Sequence, residues 1–273
     1  MSELKATVII DNISKNELKK EWGLAVHIQY GEKNILLDTG STGIFSENAE
    51  KLNIGLQKVD YGVLSHAHYD HSDGMEKFFE KNKTAKFFLR EDTAENCYGS
   101  RFIFSKYIGI KKGTLEKFRD RIEYVSGDYE LCGGVTLVPH KTENLAAKGK
   151  RAGMFRKENR HRVDDDFSHE QSLVFDTSKG LVIFNSCSHG GADNIINEIS
   201  ATFPDKGIYA IIGGFHLFKS TEQEVLALAD GIKRTGIKRV ITGHCTGEKS
   251  FQILKQTLGE SLEQIYSGYV FEI

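Results

Sequence analysis

Apolar and polar positions alternate along this chain with two different periods, and the switch between them marks its elements. Residues 6–11, 23–30 and 34–37 are rich in β-branched and apolar side chains, with a turn at Tyr30-Gly31-Glu32-Lys33, and predict antiparallel strands. Ile44, Phe45, Ala49 and Leu52 share one helical face across residues 43–52. A short apolar run at 59–64 reads as a buried strand; after a polar break, Met75, Phe78 and Phe79 resume the helical spacing through Lys81. Strands are predicted again at 85–89, 122–126, 135–139, 171–175, 181–186, 207–214, 237–243 and 266–271. Helices are predicted at 192–201, 221–234 and 247–258, the second opening with the capping box Thr221-x-x-Glu224. Such alternation of strand and helix is an α/β pattern.

Two stretches break it. Residues 90–120 carry glycines and exposed-looking aromatics without regular alternation, and read as a cap over a site, the plain alternative being an ordinary surface insertion. Residues 141–166 hold Lys148, Lys150, Arg151, Arg156, Lys157, Arg160, His161 and Arg162 with almost no apolar periodicity. They read as a basic loop suited to an anionic group such as a phosphate, the plain alternative being solvated charge.

The polar break after residue 64 is where the chemistry concentrates, as His66-Ala67-His68-Tyr69-Asp70-His71. Imidazole nitrogen and carboxylate oxygen are donors that zinc, iron and manganese share, and four lie within six residues. On an extended backbone His66, His68 and Asp70 point one way and His71 another, so one loop can serve two metals. Three later apolar runs also finish near a histidine: 181–186 at Cys187-Ser188-His189, 207–214 at His216, and 237–243 at His244. With only ten histidines in the chain, this recurrence points the strand ends at one site, where α/β sheets hold ligands. Asp38-Thr39-Gly40 ends an earlier strand, where Asp38 suits a carboxylate that fixes the tautomer of a ligating imidazole. That triplet also marks an aspartic protease half-site, but such chemistry needs a second carboxylate and no other D-[ST]-G occurs.

The motif His66-x-His68-x-Asp70-His71, preceded by Asp38-Thr39-Gly40, resembles the metallo-β-lactamase superfamily. Gly213-Gly214-Phe215-His216-Leu217, Ser186-Cys187-Ser188-His189 and His244-Cys245-Thr246-Gly247 resemble its dihydropterin-ribofuranosylaminobenzene-phosphate synthase-like branch. The resemblance implies a four-layer αββα sandwich over residues 1–273, read as one domain, with two divalent metal ions, zinc first and iron or manganese as alternatives. His66, His68, Asp70 and His71 rank first as ligands; His189 and His244 follow, each presented by a short glycine- or serine-containing turn. His169 matches by position the isolated histidine that completes the first site in most of the superfamily, though it lacks the usual G-H-[ST] turn. Asp70 is the catalytic candidate, placed to hold a water or carry its proton. Cys187 stands where the superfamily generally has a bridging aspartate, and is either a thiolate ligand or a small buried hydrophobe. His216 is either an outer ligand or a substrate-facing acid.

The activity these residues imply is a metal-dependent hydrolase whose metal-bound hydroxide attacks a phosphorylated or phosphoester small molecule. Alternatives are a synthase-like transferase, in which the metals assist loss of pyrophosphate, and a metal-binding or redox protein without turnover. A formal charge of −2 gives no overall basic field, so nucleic acid is not an expected partner. Cys97, Cys132, Cys187 and Cys245 form no C-x-x-C pair, which argues against a zinc knuckle and a disulfide framework. The chain opens without a signal-peptide pattern and no apolar run reaches the length of a membrane span, so the expected location is the cytoplasm.

Overall fold

The first half of the chain runs β1 (Leu4–Ile10), β2 (Ala25–Tyr30), β3 (Lys33–Leu37), α1 (Ile44–Lys51), β4 (Tyr61–Val63), α2 (Tyr69–Ser72), α3 (Met75–Lys81), β5 (Lys86–Arg90), β6 (Cys97–Arg101), β7 (Phe104–Tyr107), α4 (Thr114–Lys117) and β8 (Ile122–Val125). The second runs β9 (Tyr129–Cys132), β10 (Val135–Pro139), α5 (Leu145–Ala152), β11 (Met154–Glu158), β12 (His161–Asp164), β13 (Gln171–Thr177), β14 (Gly180–Phe184), α6 (Ala192–Thr202), β15 (Ile208–Gly214), α7 (Glu222–Arg234), β16 (Arg239–Gly243), α8 (Glu248–Leu258), β17 (Leu262–Gln264) and β18 (Val270–Glu272). This computed structural model describes residues 3–101, 104–159 and 161–273; Met1, Ser2 and Arg160 of the basic stretch lie outside the described residues.

Among the described residues the strands form two seven-stranded sheets, ordered β18-β1-β2-β3-β4-β5-β8 and β17-β16-β15-β14-β13-β10-β9. Each joins an antiparallel half to a parallel half. In the first, β1 to β3 are antiparallel and β3, β4, β5 and β8 run parallel. In the second, β9, β10, β13 and β14 are antiparallel and β14 to β17 run parallel.

Side-chain alternation turns these sheets into layers. In β3, Ile35 and Leu37 join the core between the sheets, against residues such as Leu137, Phe184 and Ile212, while Leu36 faces the opposite way. That outer face is covered by α1 and α3 through Phe45, Ala49, Met75 and Phe78. On the second sheet α6, α7 and α8 bury Ile195, Ile199, Val225, Ala229 and Leu254. The order is helix, sheet, sheet, helix: the four-layer αββα sandwich. The Thr221 capping box forms, its hydroxyl accepting from the Glu224 amide.

The two stretches that broke the sequence pattern pair with each other. Strands β6 and β7 extend through β11 to β12 in a four-stranded antiparallel sheet, with Gly99, Tyr98 and Cys97 opposite Met154, Phe155 and Arg156. The expected basic loop is therefore α5 plus a hairpin. Three of the hairpin's cations are engaged: the Arg156 guanidinium lies 2.8 Å from Asp166, Lys157 sits 4.2 Å from the Tyr98 ring centre, and Arg162 4.1 Å from that of Phe155. Two further strands, β9 and β17, were not anticipated, and the terminal strand is shorter than the 266–271 expected.

Candidate metal centre

The loop after β4 is held from below before it presents anything. Asp38, buried at the end of β3 with a left-handed φ of 60°, accepts from the Ser65 amide and hydroxyl at 2.7 Å each and lies 2.7 Å from His71 Nδ1. It fixes the His71 ring with Nε2 free to face the site, as expected of a carboxylate behind a ligating imidazole. Ser65 Oγ in turn lies 2.9 Å from His66 Nδ1. Gly74, just beyond the loop, has no room for a side chain: a Cβ there would meet the Thr39 carbonyl oxygen at 2.1 Å. The inserted sheet clamps the other side, where the Tyr69 amide donates to the Ile108 carbonyl at 2.9 Å.

The backbone is not extended through the whole motif. Helix α2 begins at Tyr69, so Asp70 leaves the face shared by His66 and His68 and joins His71. This corrects the period-two expectation, and the reason is local: His68 has β geometry and is the last extended residue.

Two donor groups result. The ring nitrogens of His66, His68 and His189 all lie within 4.8 Å of one another. Among the described residues the Nε2 atoms of all three are buried without a hydrogen-bond partner, an arrangement that costs about 1–3 kcal/mol per atom if left unfilled. Burial, and for His66 and His68 the neighbouring imidazoles, depresses their pKa values, leaving neutral nitrogens of the form that binds metal. His189 is oriented by Glu170, whose carboxylate meets its Nδ1 and accepts its amide at 3.2 Å. Glu170 also lies 2.9 Å from His140 Nε2, and His140 Nδ1 lies 3.3 Å from Glu198.

The second group is mixed. His71 Nε2 and His244 Nε2 are 3.1 Å apart, Asp70 Oδ2 lies 3.7 Å from the first and 3.5 Å from the second, and Cys187 Sγ is 3.3 Å from His71 Nε2. Burial alone would raise the Asp70 carboxyl, but the imidazoles of His71 and His244 hold it well below the usual carboxylate range. Cys245 Sγ stands 3.4 Å from Cys187 Sγ, and both thiols are free. Such short contacts between groups with lone pairs suit a cation among them. Both groups thus fit divalent ions by donor type, and both are built from residues of the two sheets.

His169 is placed differently. Its Nδ1 accepts from the Ala67 amide at 3.2 Å and its Nε2 lies 3.3 Å from Asp165, in a buried group with His68 and Cys97. That group also fits a metal ion by donor type, its ligand atoms all lying within 4.8 Å of one another, while His189 is the third nitrogen beside His66 and His68. His216 reaches the edge of the site, its ring centre 4.6 Å from that of His189 and its amide donating to Cys245 Sγ at 3.2 Å. Asp38, Ser188, His216 and His244 all have left-handed φ values between 47° and 60°, conformations costing about 1–3 kcal/mol each and concentrated here. Sequence reading missed Glu170, His140 and Glu198.

Both groups open onto a cavity of about 500 Å³ walled by Trp22, Tyr69, Lys106, Ile108, Met154 and Phe218. Two of these, Lys106 and Ile108, come from the segment expected to act as a cap.

Comparison with known proteins agrees with this architecture. A curated relative in Methanocaldococcus jannaschii, 7,8-dihydropterin-6-methyl-4-(beta-D-ribofuranosyl)-aminobenzene-5'-phosphate synthase, is 28% identical over 257 residues, covering 88% of this chain and 85% of its own. A solved structure, Tm1679, described as a metal-dependent hydrolase of the β-lactamase superfamily, superposes with a TM-score of 0.82 at 28% identity, covering 99% of each chain. A diphosphatase from the PhnP family shares the fold, with a TM-score of 0.58 at 14% identity over 99% of this chain and 98% of its own. No helix among the described residues is long and apolar enough to cross a membrane. The sequence profile of the metallo-β-lactamase superfamily matches residues 23–177, more than half of the chain, and this protein belongs to that superfamily.

Proposed function

We propose that this protein is a metal-dependent hydrolase acting on a phosphorylated or phosphoester small molecule, with two divalent ions, zinc foremost. The observation that carries the reading is the set of three buried, unpartnered Nε2 atoms on His66, His68 and His189, beside a mixed oxygen, nitrogen and sulfur group, at the floor of one cavity. His66, His68 and His189 would hold one ion; Asp70, His71 and His244 would hold the other, with Cys187 at its side. When bound, such ions acidify water and polarise a phosphoryl or carbonyl oxygen.

The protein's own groups supply the rest. Asp70, kept ionised by its two imidazole neighbours, is placed to accept a hydrogen bond from the attacking water and orient it. Asp38 and Glu170 hold His71 and His189 in the tautomers that leave Nε2 free. Trp22, Tyr69 and Phe218 give the cavity an apolar, aromatic wall, and Lys106 adds a cation to it.

A second reading follows from the relative named as a synthase: the same residues would serve a transfer with loss of pyrophosphate. Fold does not separate these chemistries. A panel of phosphodiester, phosphomonoester, lactone and thioester substrates, run with metal analysis, does. We expect phosphoester turnover that Asp70→Ala and His68→Ala abolish. Bound metal with no turnover on any member would sink the hydrolase reading, and pyrophosphate release dependent on an acceptor would establish the transferase.

A further inference from the structure

We infer that a cationic chamber beside the metal cavity is a subsite for a phosphate or diphosphate group of the substrate, one that is not the group reacting at the metals. The inference rests on the enzyme reading above for its substrate, but not for its anion.

The chamber, of about 660 Å³, shares His189, His216, Phe218 and Lys219 with the metal cavity, so one ligand can span both. Lys148 and Arg151 enter it from α5, Arg234 from the last turn of α7, and Lys219 from the loop after β15. Asp193 and Glu224 also line it, which leaves four cations against two carboxylates, and Glu224 is already engaged in the Thr221 capping box. An excess of two positive charges matches a phosphate dianion, and two arginines offer forked donors to its oxygens.

Two further features point to a ligand. Ser188 is 2% exposed and lines the chamber, its residue is held in the left-handed region at φ 49°, and its hydroxyl has no hydrogen-bond partner among the described residues. A buried hydroxyl left unbonded is costly, and a bound oxyanion would accept from it. Gly191, at φ 93°, starts the 11-residue helix α6, which has no side-chain cap, and Gly191, Asp193 and Asn194 lie on the chamber wall. The free amides of that first turn are thus available to an anion.

The placement separates two jobs. The reacting bond sits over His66, His68, Asp70, His71, His189 and His244, while a remote phosphate is gripped past His189 and His216. Of the basic residues in the 141–166 stretch, Lys148 and Arg151 line the chamber; Lys219 and Arg234 come from far along the chain.

The test is calorimetric titration of the metal-loaded full chain with inorganic phosphate. We expect Lys148→Met and exposed Arg234→Gln each to weaken binding about tenfold with metal content unchanged, while His71→Ala, which empties the mixed group, shifts it less than threefold. Affinity unmoved by both cation variants, or lost with His71→Ala, places the phosphate on the metals and overturns the subsite. A kinetic arm separates free phosphate from substrate phosphate. Arg234→Gln should raise KM about tenfold for a phosphodiester carrying a second, terminal phosphate and leave KM for bis(4-nitrophenyl) phosphate unchanged; equal shifts overturn the substrate assignment. If the wild-type chain turns over no ester, the hydrolase reading fails, yet the phosphate titration still decides the subsite.

Discussion

The two sheets share a plan, an antiparallel half joined to a parallel half, yet they deliver donors in opposite styles. The first places His66 and His68 on the loop after β4 and Asp70 and His71 on α2, which follows it directly. The second spreads Cys187, His189, His216 and His244 over the ends of β14, β15 and β16. Each then supports its imidazole with a carboxylate from a neighbouring strand: Asp38 after β3 for His71, Glu170 before β13 for His189. Neither of the two groups proposed to hold ions is completed by one sheet alone. The three-nitrogen group needs His189 beside His66 and His68, and the mixed group needs His244 beside Asp70 and His71. The site is therefore a seam.

The most severe way to break the seam is to remove one sheet's share. His189→Ala leaves His66 and His68 in place yet takes the third nitrogen away, and we expect kcat/KM to fall about 10³-fold, near 4 kcal/mol of transition-state stabilisation. His66→Ala should match it, because the group fails from either side. Metal analysis should show one equivalent lost in each. Retention of full metal content and activity in His189→Ala would show that the second sheet is dispensable.

Chelation probes the same seam through stability. Ions bridging two sheets bind the folded chain and not the unfolded one, so at hundred- to thousand-fold excess over Kd they add about 2.7–4.1 kcal/mol. For a chain of this size that is roughly 6–15 °C in Tm. A calorimetric scan with and without a chelator measures it, and coincident scans would mean that the ions do not join the sheets.

The supporting carboxylates test whether the parallel between the sheets is real. Asp38→Asn should weaken the ion in the mixed group, and Glu170→Gln the ion among the three imidazoles, each by about 10–100-fold. Stepwise competition with a chromophoric chelator distinguishes the two ions. If both substitutions weaken the same ion, the assignment of one carboxylate to each group is wrong.

How much of this was legible in the chain follows the same division. The first sheet's donors lie within six residues, so local spacing exposed them, and Asp38 could be named as their support because it ends a recognisable strand. The second sheet's histidines were visible only as strand ends. Glu170 and its partners His140 and Glu198 were not, since their contacts span 30 and 58 residues and none stands in a motif. His169 drew attention by position, and it lies in a further buried donor group with His68, Cys97 and Asp165, partners that no local spacing connects. The inserted sheet was missed for a physical reason: β7 and β12 are almost wholly exposed, so no apolar alternation marks them, and their pairing comes from contacts such as Phe155 against Tyr98. Asp70 was misdirected because nothing in the sequence announced that α2 starts one residue after His68.

The smallest expected effect comes from acid, and it must be separated from the seam before acid stability can report on it. His27, on β2 of the first sheet, is buried, and burial pushes its pKa down to about 4. The unfolded chain protonates this imidazole near 6.5 and the folded chain does not, so between pH 6.5 and about 4 the unfolded state binds more protons. Stability therefore falls as pH drops through that window, by about 1.4 kcal/mol for each unit, and is unaffected by His27 above it. At pH 5.5 the wild-type chain should melt about 3 °C lower than at pH 7 from this residue alone. His27→Gln should remove that share of the loss in chelator-treated protein. The buried imidazoles of His66, His68 and His189, whose pKa values burial also lowers, add to the acid sensitivity that remains, and an unchanged pH profile in His27→Gln would mean that His27 is hydrated in the folded chain.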